Sequence, residues 1–260
     1  FKEKADKIQC KKWRSNTMKR SLKVLITLFL ISAIMFVFAG CQKDEGVIKM
    51  GTNAEFPPFE YVENGEYAGI DVELAKAIAK ELGKELVIED MAFDALIDAV
   101  NSGKVDFIAA GMTVRPDREK NVDFSIKYYN ASQTIIVKGD NEDIKTKDDL
   151  VGKKIGVQTG TTGYDLAVEI KDAVVSSYNN GLEATLDLKN GNVDAVIIDN
   201  FPAKKYVEKN PELKLIEGQF EEEQYAIAVK KGNKKLLDQI HKALQKLMDD
   251  GTYDSILEKY

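Results

Sequence analysis

Asn-Ser-Gly-Lys-Val-Asp-Phe-Ile at residues 101–108 is echoed further along the chain by Lys-Asn-Gly-Asn-Val-Asp-Ala-Val at 189–196. With Gly103 set against Gly191, each segment follows a stretch of helical periodicity and leads into a short apolar run of β character. In that register Gly111 falls opposite Asp199, each just past the end of its run. A second pairing sets residues 48–52 against 155–159, two β-type runs that enter polar loops. Shared capping chemistry in αβ turns would give such short echoes by itself. The simpler reading is two α/β lobes of similar build.

The rest of the body fits that reading. Residues 47–51 form a β-type run. Asp71 can cap a helix whose stripe is Val72, Ala75, Ile78, Ala79 and Leu82, stopped by Gly83. Residues 85–89 predict a strand, 93–100 a helix and 105–109 a buried strand. The theme returns with strands predicted at 154–157, 174–178 and 193–198, and amphipathic helices close the chain near 234–249 and 253–258. Strands alternating with helices argue for parallel α/β layers. Ligands of such sheets sit beyond the carboxyl ends of strands. The loops at 52–59, 111–113, 158–163 and 199–201 should therefore converge on one cleft. The β-type stretches at 132–137 and 224–229 are expected to link the lobes, and two links would make a hinge.

Charge separates this body from what precedes it. Residues 1–23 hold nine Lys/Arg and two acids, whereas residues 24–260 hold 28 basic and 41 acidic residues. An acidic body lacks the basic surface expected of a nucleic-acid binder. Residues 24–40 are uncharged and follow Lys19, Arg20 and Lys23, the layout of an export signal. The ending Phe38-Ala39-Gly40-Cys41 resembles a bacterial lipobox, with Phe38 where an aliphatic residue is usual. This predicts a signal peptide over 18–40, lipidation and membrane anchoring at Cys41, and a tether over 41–46. An uncleaved anchor is the alternative. Residues 1–17, ahead of Met18 and containing Trp13, are expected to be extra sequence outside the fold.

Further motifs carry a resemblance. They are Gly51-Thr-Asn-Ala-Glu-Phe-Pro-Pro-Phe-Glu60, Gly69-Ile-Asp-Val-Glu-Leu74, Gly111-Met-Thr-Val-Arg-Pro-Asp-Arg118, Asp123-Phe-Ser125 with Tyr128 and Tyr129, and Gly156-Val-Gln-Thr-Gly-Thr-Thr162. With Val193-Asp-Ala-Val-Ile-Ile-Asp199 they resemble, in order and spacing over residues 46–260, the polar amino-acid-binding proteins of ABC importers, a bacterial extracellular solute-binding family. The resemblance implies a type II periplasmic-binding-protein fold, two α/β lobes joined by a two-strand hinge with the ligand between them. Lobe boundaries of 47–134 plus 228–260 and 135–227 follow. It also implies a monomer without cofactor or metal, which hands its ligand to an ABC permease and separate ATPase subunits.

A free amino acid brings a carboxylate and an ammonium, and burying either is costly unless it is paired and hydrogen-bonded. Arg118 is the expected carboxylate clamp, because a guanidinium meets a carboxylate in bidentate geometry; alone, it would read as a surface arginine opening a helix. Arg115 is expected at the surface. The resemblance makes Asp199 the ammonium anchor, although Asp there also suits a helix N-cap. Gly111 would offer its carbonyl, Thr113 and Thr162 their hydroxyls, and Thr161 helps open a helix whose N–H groups face an anion. Phe56 and Phe93 resemble the family's aromatic walls, while Phe59 is expected in the core. Asn53, Glu55 and Gln158 are the candidate readers of the ligand side chain. Asn53 stands where basic and glutamine binders often have Asp. Gln, Arg, His and cystine remain open as ligands.

Two other classes stay in view. A cyclohexadienyl or arogenate dehydratase-like enzyme on the same fold would need a catalytic carboxylate in the cleft, for which Glu55 is the candidate. A sensor domain is the other. The lone histidine, His241, falls in an amphipathic helix and supports no Ser-His-Asp set.

Overall fold

The structure, a computed structural model, describes residues 46–260. The expected signal peptide, the lipidated Cys41 and the extra segment at 1–17 lie outside the described residues. Among the described residues no helix is long and apolar enough to cross a membrane.

The chain opens with β1 (Val47–Thr52), then a small antiparallel sheet of β2 (Glu55–Phe56), β3 (Glu60–Glu63) and β4 (Glu66–Ala68). Helix α1 (Ile70–Glu81) leads to β5 (Glu85–Asp90). A 3-10 turn at Phe93–Ala95 runs into α2 (Leu96–Ser102), followed by β6 (Phe107–Ile108), α3 (Pro116–Glu119) and the long β7 (Val122–Lys138). Next come β8 (Lys154–Gln158), α4 (Thr162–Glu169), β9 (Val174–Tyr178), α5 (Gly181–Asn190), β10 (Ala195–Asp199) and α6 (Asn200–Lys209). The chain closes with β11 (Leu213–Ile216), β12 (Glu222–Lys230), α7 (Lys234–Asp249) and α8 (Thr252–Leu257).

One mixed sheet runs β5-β1-β6-β12-β7-β10-β8-β9, with β11 added to β7. It has two halves of the same plan. In the first, β1 lies parallel between β5 and β6, and β12 follows antiparallel. In the second, β8 lies parallel between β9 and β10, and β7 follows antiparallel. The fold is α/β of the type II periplasmic-binding kind.

The sequence echo is a structural repeat down to single atoms. Gly103 and Gly191 both terminate helices in the left-handed region, each at φ 79°. Such a C-terminal turn suits glycine because no Cβ meets the backbone. The aspartate three residues on then does the same work in both copies. The Asp106 carboxylate accepts from Lys49 N at 2.9 Å, and that of Asp194 from Lys154 N at 2.8 Å. Each fixes the start of the central strand of its half.

Strand β7 serves both halves. Residues 122–132 pair with β12, and residues 133–138 pair with β10 and β11. The outward crossing expected at 132–137 thus falls at Ser132 and Gln133. The return crossing is earlier than expected: it lies between Ile216, paired with Ile135, and Glu222, paired with Ser132. Residues 224–229 are instead the buried middle of a central strand, which is why they read as β. Helix α1 also differs from expectation. Gly69 occupies the cap position, and Asp71 lies inside the helix, fully buried. The predicted helix at 93–100 is split between the 3-10 turn and α2, and the strand at 105–109 shrinks to two residues.

Candidate functional site

The ends of β1, β6, β8 and β10 face one another across a cleft between the two halves of the sheet. They enclose about 330 Å³ of empty space, part of it open to solvent. The first half contributes Asn53, Phe56, Glu60, Phe93, Gly111, Thr113 and Arg118 to its wall. The second contributes Gln158, Thr161, Thr162 and Asp199. Of the sequence-predicted residues only Glu55 is missing.

Arg118 is carried by the short helix α3, whose first turn is set by Pro116. It is 3% exposed and thus not the surface arginine an isolated reading suggests. Its Nη1 donates to Thr113 O at 2.9 Å and its Nη2 to Gly160 O at 3.0 Å. The guanidinium carbon lies 5.2 Å from the Phe93 ring centre, a cation–π contact that fixes its plane. Burial, and then the neighbouring Arg115 charge, lower its pKa to about 10. It is still a cation at neutral pH.

Asp199 ends the buried strand β10, and its side chain makes no capping bond to α6. One carboxylate oxygen accepts from the Tyr225 hydroxyl at 2.5 Å. Burial and the Glu223 charge push its pKa up to about 7. A buried acid poised in this way gains most from a cationic partner in the cleft.

Gly111 follows β6 at φ 51°, where a Cβ would stand 2.8 Å from the Phe56 ring. The residue must be glycine for the aromatic wall to close on the backbone. Its N–H donates to Asp71 Oδ2 at 2.8 Å, and the Tyr128 hydroxyl donates to the same oxygen at 2.7 Å. Asp71 therefore sets the strand end rather than a helix start.

Thr161 caps α4, its hydroxyl donating to Gln158 O at 2.8 Å and accepting from Tyr164 N at 3.3 Å. Thr162, the first helical residue, is left facing the cleft. Thr113 donates its hydroxyl to Glu223 at 2.7 Å. Gln158 Nε2 donates to Asn53 Oδ1 at 2.8 Å, joining the two halves. The Asn53 amide in turn donates to Met91 O at 3.1 Å. Phe59 is wholly buried in an aromatic cluster with Tyr129, Phe201 and Tyr225.

Two readings change, and one residue joins the site. Glu55 is exposed and accepts from Asn180 Nδ2 at 2.5 Å outside the cavity lining, because its alternate position in β2 turns it away from buried Phe56. Arg115 is not a free surface residue. It grips Asp117 on its own side and reaches Asp165 across the cleft at 2.6 Å. The carboxylate that does enter the cavity from the first half is Glu60, which the sequence reading passed over. It is 1% exposed, and one of its oxygens has no hydrogen-bond partner. Burial and the nearby Asp71 charge raise its pKa well above the usual carboxylate range. Its place in the quoted Phe-Pro-Pro-Phe-Glu motif, directly after a core phenylalanine, was the available signal. Among the described residues no group of three or more His, Cys, Asp or Glu side chains is arranged to hold a metal ion.

The description of bacterial extracellular solute-binding proteins, family 3, matches residues 48–260. This chain belongs to that family. The chain is 35% identical to ABC transporter arginine-binding protein 1 of Escherichia coli over 249 residues, 92% of this chain and 99% of the relative. Among solved structures it resembles an ancestral arginine-binding protein bound to arginine, with a TM-score of 0.79, 46% identity and coverage of 83% and 98%. An ancestral arginine-binding protein bound to glutamine gives 0.78, 47%, 83% and 97%. Membership in the family makes a solute-binding role in ABC transport the chain's function, and these relatives do not favour the dehydratase or sensor alternatives. The family is extracellular by description.

Proposed function

We propose that this family member captures an L-amino acid with a cationic or polar side chain in the cleft and passes it to an ABC permease driven by separate ATPase subunits. The observation that carries this reading is the pairing of Arg118 and Asp199. One buried cation and one buried acid line the same small cavity from opposite halves of the sheet. An α-carboxylate would take the free N–H groups of Arg118 together with the Thr162 end of α4. The α-ammonium would take Asp199, the Gly111 carbonyl and the Thr113 hydroxyl. Phe56 and Phe93 would flank the side chain, and Glu60, Asn53 and Gln158 would meet its tip.

Glu60 shifts the choice of ligand. Asn53 alone argues for a neutral tip, but a buried carboxylate beside it favours a guanidinium or another cation. Arginine is therefore the first ligand to test, with glutamine, histidine and cystine next. The lobes proposed follow the two crossings of the sheet, 47–132 plus 222–260 and 133–221, closing on the ligand as a monomer, with the body held at the membrane through lipidated Cys41. A thermal-shift screen of the twenty amino acids with cystine and ornithine tests the ligand. A shift led by arginine is expected, and no shift with any of them defeats the reading. Cys41→Ala should release the protein from the membrane fraction; retention of the variant there would point to an uncleaved anchor.

A further inference from the structure

Two buried carboxyl groups meet beside the cleft, Glu60 in its wall and Asp71 outside the lining. Glu60, on β3, and Asp71, on α1, lie within hydrogen-bonding reach of one another. Glu60 Oε2 and Asp71 Oδ1 are both shielded from solvent, and neither has a donor from any other group. Two adjacent buried carboxylates cannot both remain ionised at modest cost. A single proton between them removes one charge and gives both orphaned oxygens a partner.

The geometry also says which acid holds it. Asp71 Oδ2 already accepts from Gly111 N–H and from the Tyr128 hydroxyl, so Asp71 is stabilised as the anion. Glu60 has no such support. Asp71, Asp199 at the end of β10 and Asp90 at the end of β5 all press on it with like charge. Tyr128 on β7 and Tyr206 on α6 also face it, and both hydroxyls are spent as donors, to Asp71 and to Glu55 O. In agreement, burial raises both carboxyls, and only for Asp71 do hydrogen bonds, those from Gly111 and Tyr128 among them, oppose the rise.

We propose that Glu60 and Asp71 share one proton, that a ligand with a cationic side chain expels it on entering the cleft, and that a neutral amide ligand leaves it in place. The inference rests on the amino-acid reading of the cleft. In the step, the O–H bond of Glu60 breaks, the proton leaves to solvent, and the carboxylate formed pairs with the ligand cation. With the proton retained, Glu60 keeps an oxygen able to accept from a ligand amide. One pocket would then serve both charge types, at a proton cost that depends on pH.

Asp199 complicates a direct measurement, because the α-ammonium of every amino acid ionises it. The difference between two ligands isolates Glu60. The purified full chain is titrated calorimetrically with L-arginine and with L-glutamine at neutral pH, in buffers of contrasting ionisation enthalpy. Arginine should release about one proton more than glutamine. Its affinity should rise by up to tenfold more per pH unit than that of glutamine above pH 6. In Glu60→Gln the difference in proton release should vanish. The pH series on the unaltered protein stands whether or not that variant folds. Equal proton release and parallel pH slopes for the two ligands overturn the shared proton while leaving the cleft assignment intact. Binding of neither ligand overturns the cleft assignment, and the proton proposal with it.

Discussion

Arg115 Nη1 lies 2.6 Å from Asp165 Oδ2, an ion pair that ties the loop before α3 to helix α4 across the mouth of the cleft. The arginine is held ready for it. Its Nε and Nη2 grip Asp117 at 3.1 and 2.8 Å, and Nη1 also reaches the Thr162 hydroxyl at 3.5 Å. The pair therefore exists only when the two halves are together, and it touches no part of the cavity that selects a side chain.

Removing this latch should weaken all ligands equally. Exposed ion pairs contribute roughly 0.2–1 kcal/mol, so Arg115→Ala should cost up to about fivefold in affinity, mostly as faster dissociation. The loss should shrink at high salt. Arg115→Asp combined with Asp165→Arg should recover part of it. Stopped-flow dissociation with several amino acids checks this. A change in ligand ranking would contradict a latch and place Arg115 in the selective site.

Arg118 should behave differently. Its fork of donors serves the buried Thr113 carbonyl and the part-buried Gly160 carbonyl as well as the proposed ligand carboxylate. Arg118→Ala should abolish the thermal shift with every amino acid. It should also destabilise the ligand-free protein by roughly 1–3 kcal/mol, the cost of orphaning those acceptors. Arg118→Lys keeps the charge but not the fork, and should lose on the order of a hundredfold in affinity. Normal binding by the lysine variant would mean that the carboxylate is held elsewhere.

The repeat was legible before the structure because Gly103 and Gly191 end helices with a left-handed turn, and Asp106 and Asp194 recur at the same spacing after them, so that even their distant bonds to Lys49 and Lys154 leave a short, repeated trace. Arg118 and Asp199 were legible through the motif around them. Glu60, Glu223 and Asp165 were not. Their importance comes from contacts with residues distant in sequence: Asp165 acts through Arg115, Glu223 through Thr113 and Asp199. The misplacement of Glu55 has a simpler origin. In a strand, neighbouring side chains face opposite ways, and a two-residue strand leaves too little pattern to show which of Glu55 and Phe56 points inward.

Gly111 offers a test of the backbone itself. At φ 51° an alanine would pay about 1–2 kcal/mol in the left-handed region, and its Cβ would press on Phe56. Gly111→Ala should therefore lower stability by at least that amount. It should also shift the carbonyl proposed for the ammonium, reducing affinity for every amino acid. Chemical denaturation and calorimetry measure the two effects separately. A variant with native stability would show that the strand end is free to relax, contrary to its hold by Asp71.

The pH dependence of stability follows from Asp199. Burial, then the Glu223 charge, raises its carboxyl from 3.8 to about 7 in the folded protein. Between those values the folded state holds a proton that the unfolded state has released. Asp199 thus contributes stability that is full below about pH 4 and is lost as pH rises through 7. Asp71, raised to about 6 by burial, acts in the same direction. Asp117 and Asp123 act in the opposite one. Hydrogen bonds from Arg115 and Lys234 hold them at about 2, so their contribution is present above 3.8 and lost as pH falls through 2. The ligand-free protein should accordingly lose stability on going from about pH 4.5 to pH 7.5, by up to roughly 3 kcal/mol from Asp199. An amino-acid ammonium restores the favourable partner of the ionised carboxylate, so ligand-induced stabilisation should grow over the same interval. In Asp199→Asn the slope should flatten to the part carried by the remaining buried acids, and the growth of the arginine effect should shrink to the part that the Glu60 proton supplies. Urea titrations of both proteins, with and without arginine, decide it. A ligand-free stability that climbs toward neutral pH in the unaltered protein would mean that Asp199 is already ionised and paired without a ligand, and would remove it as the ammonium anchor.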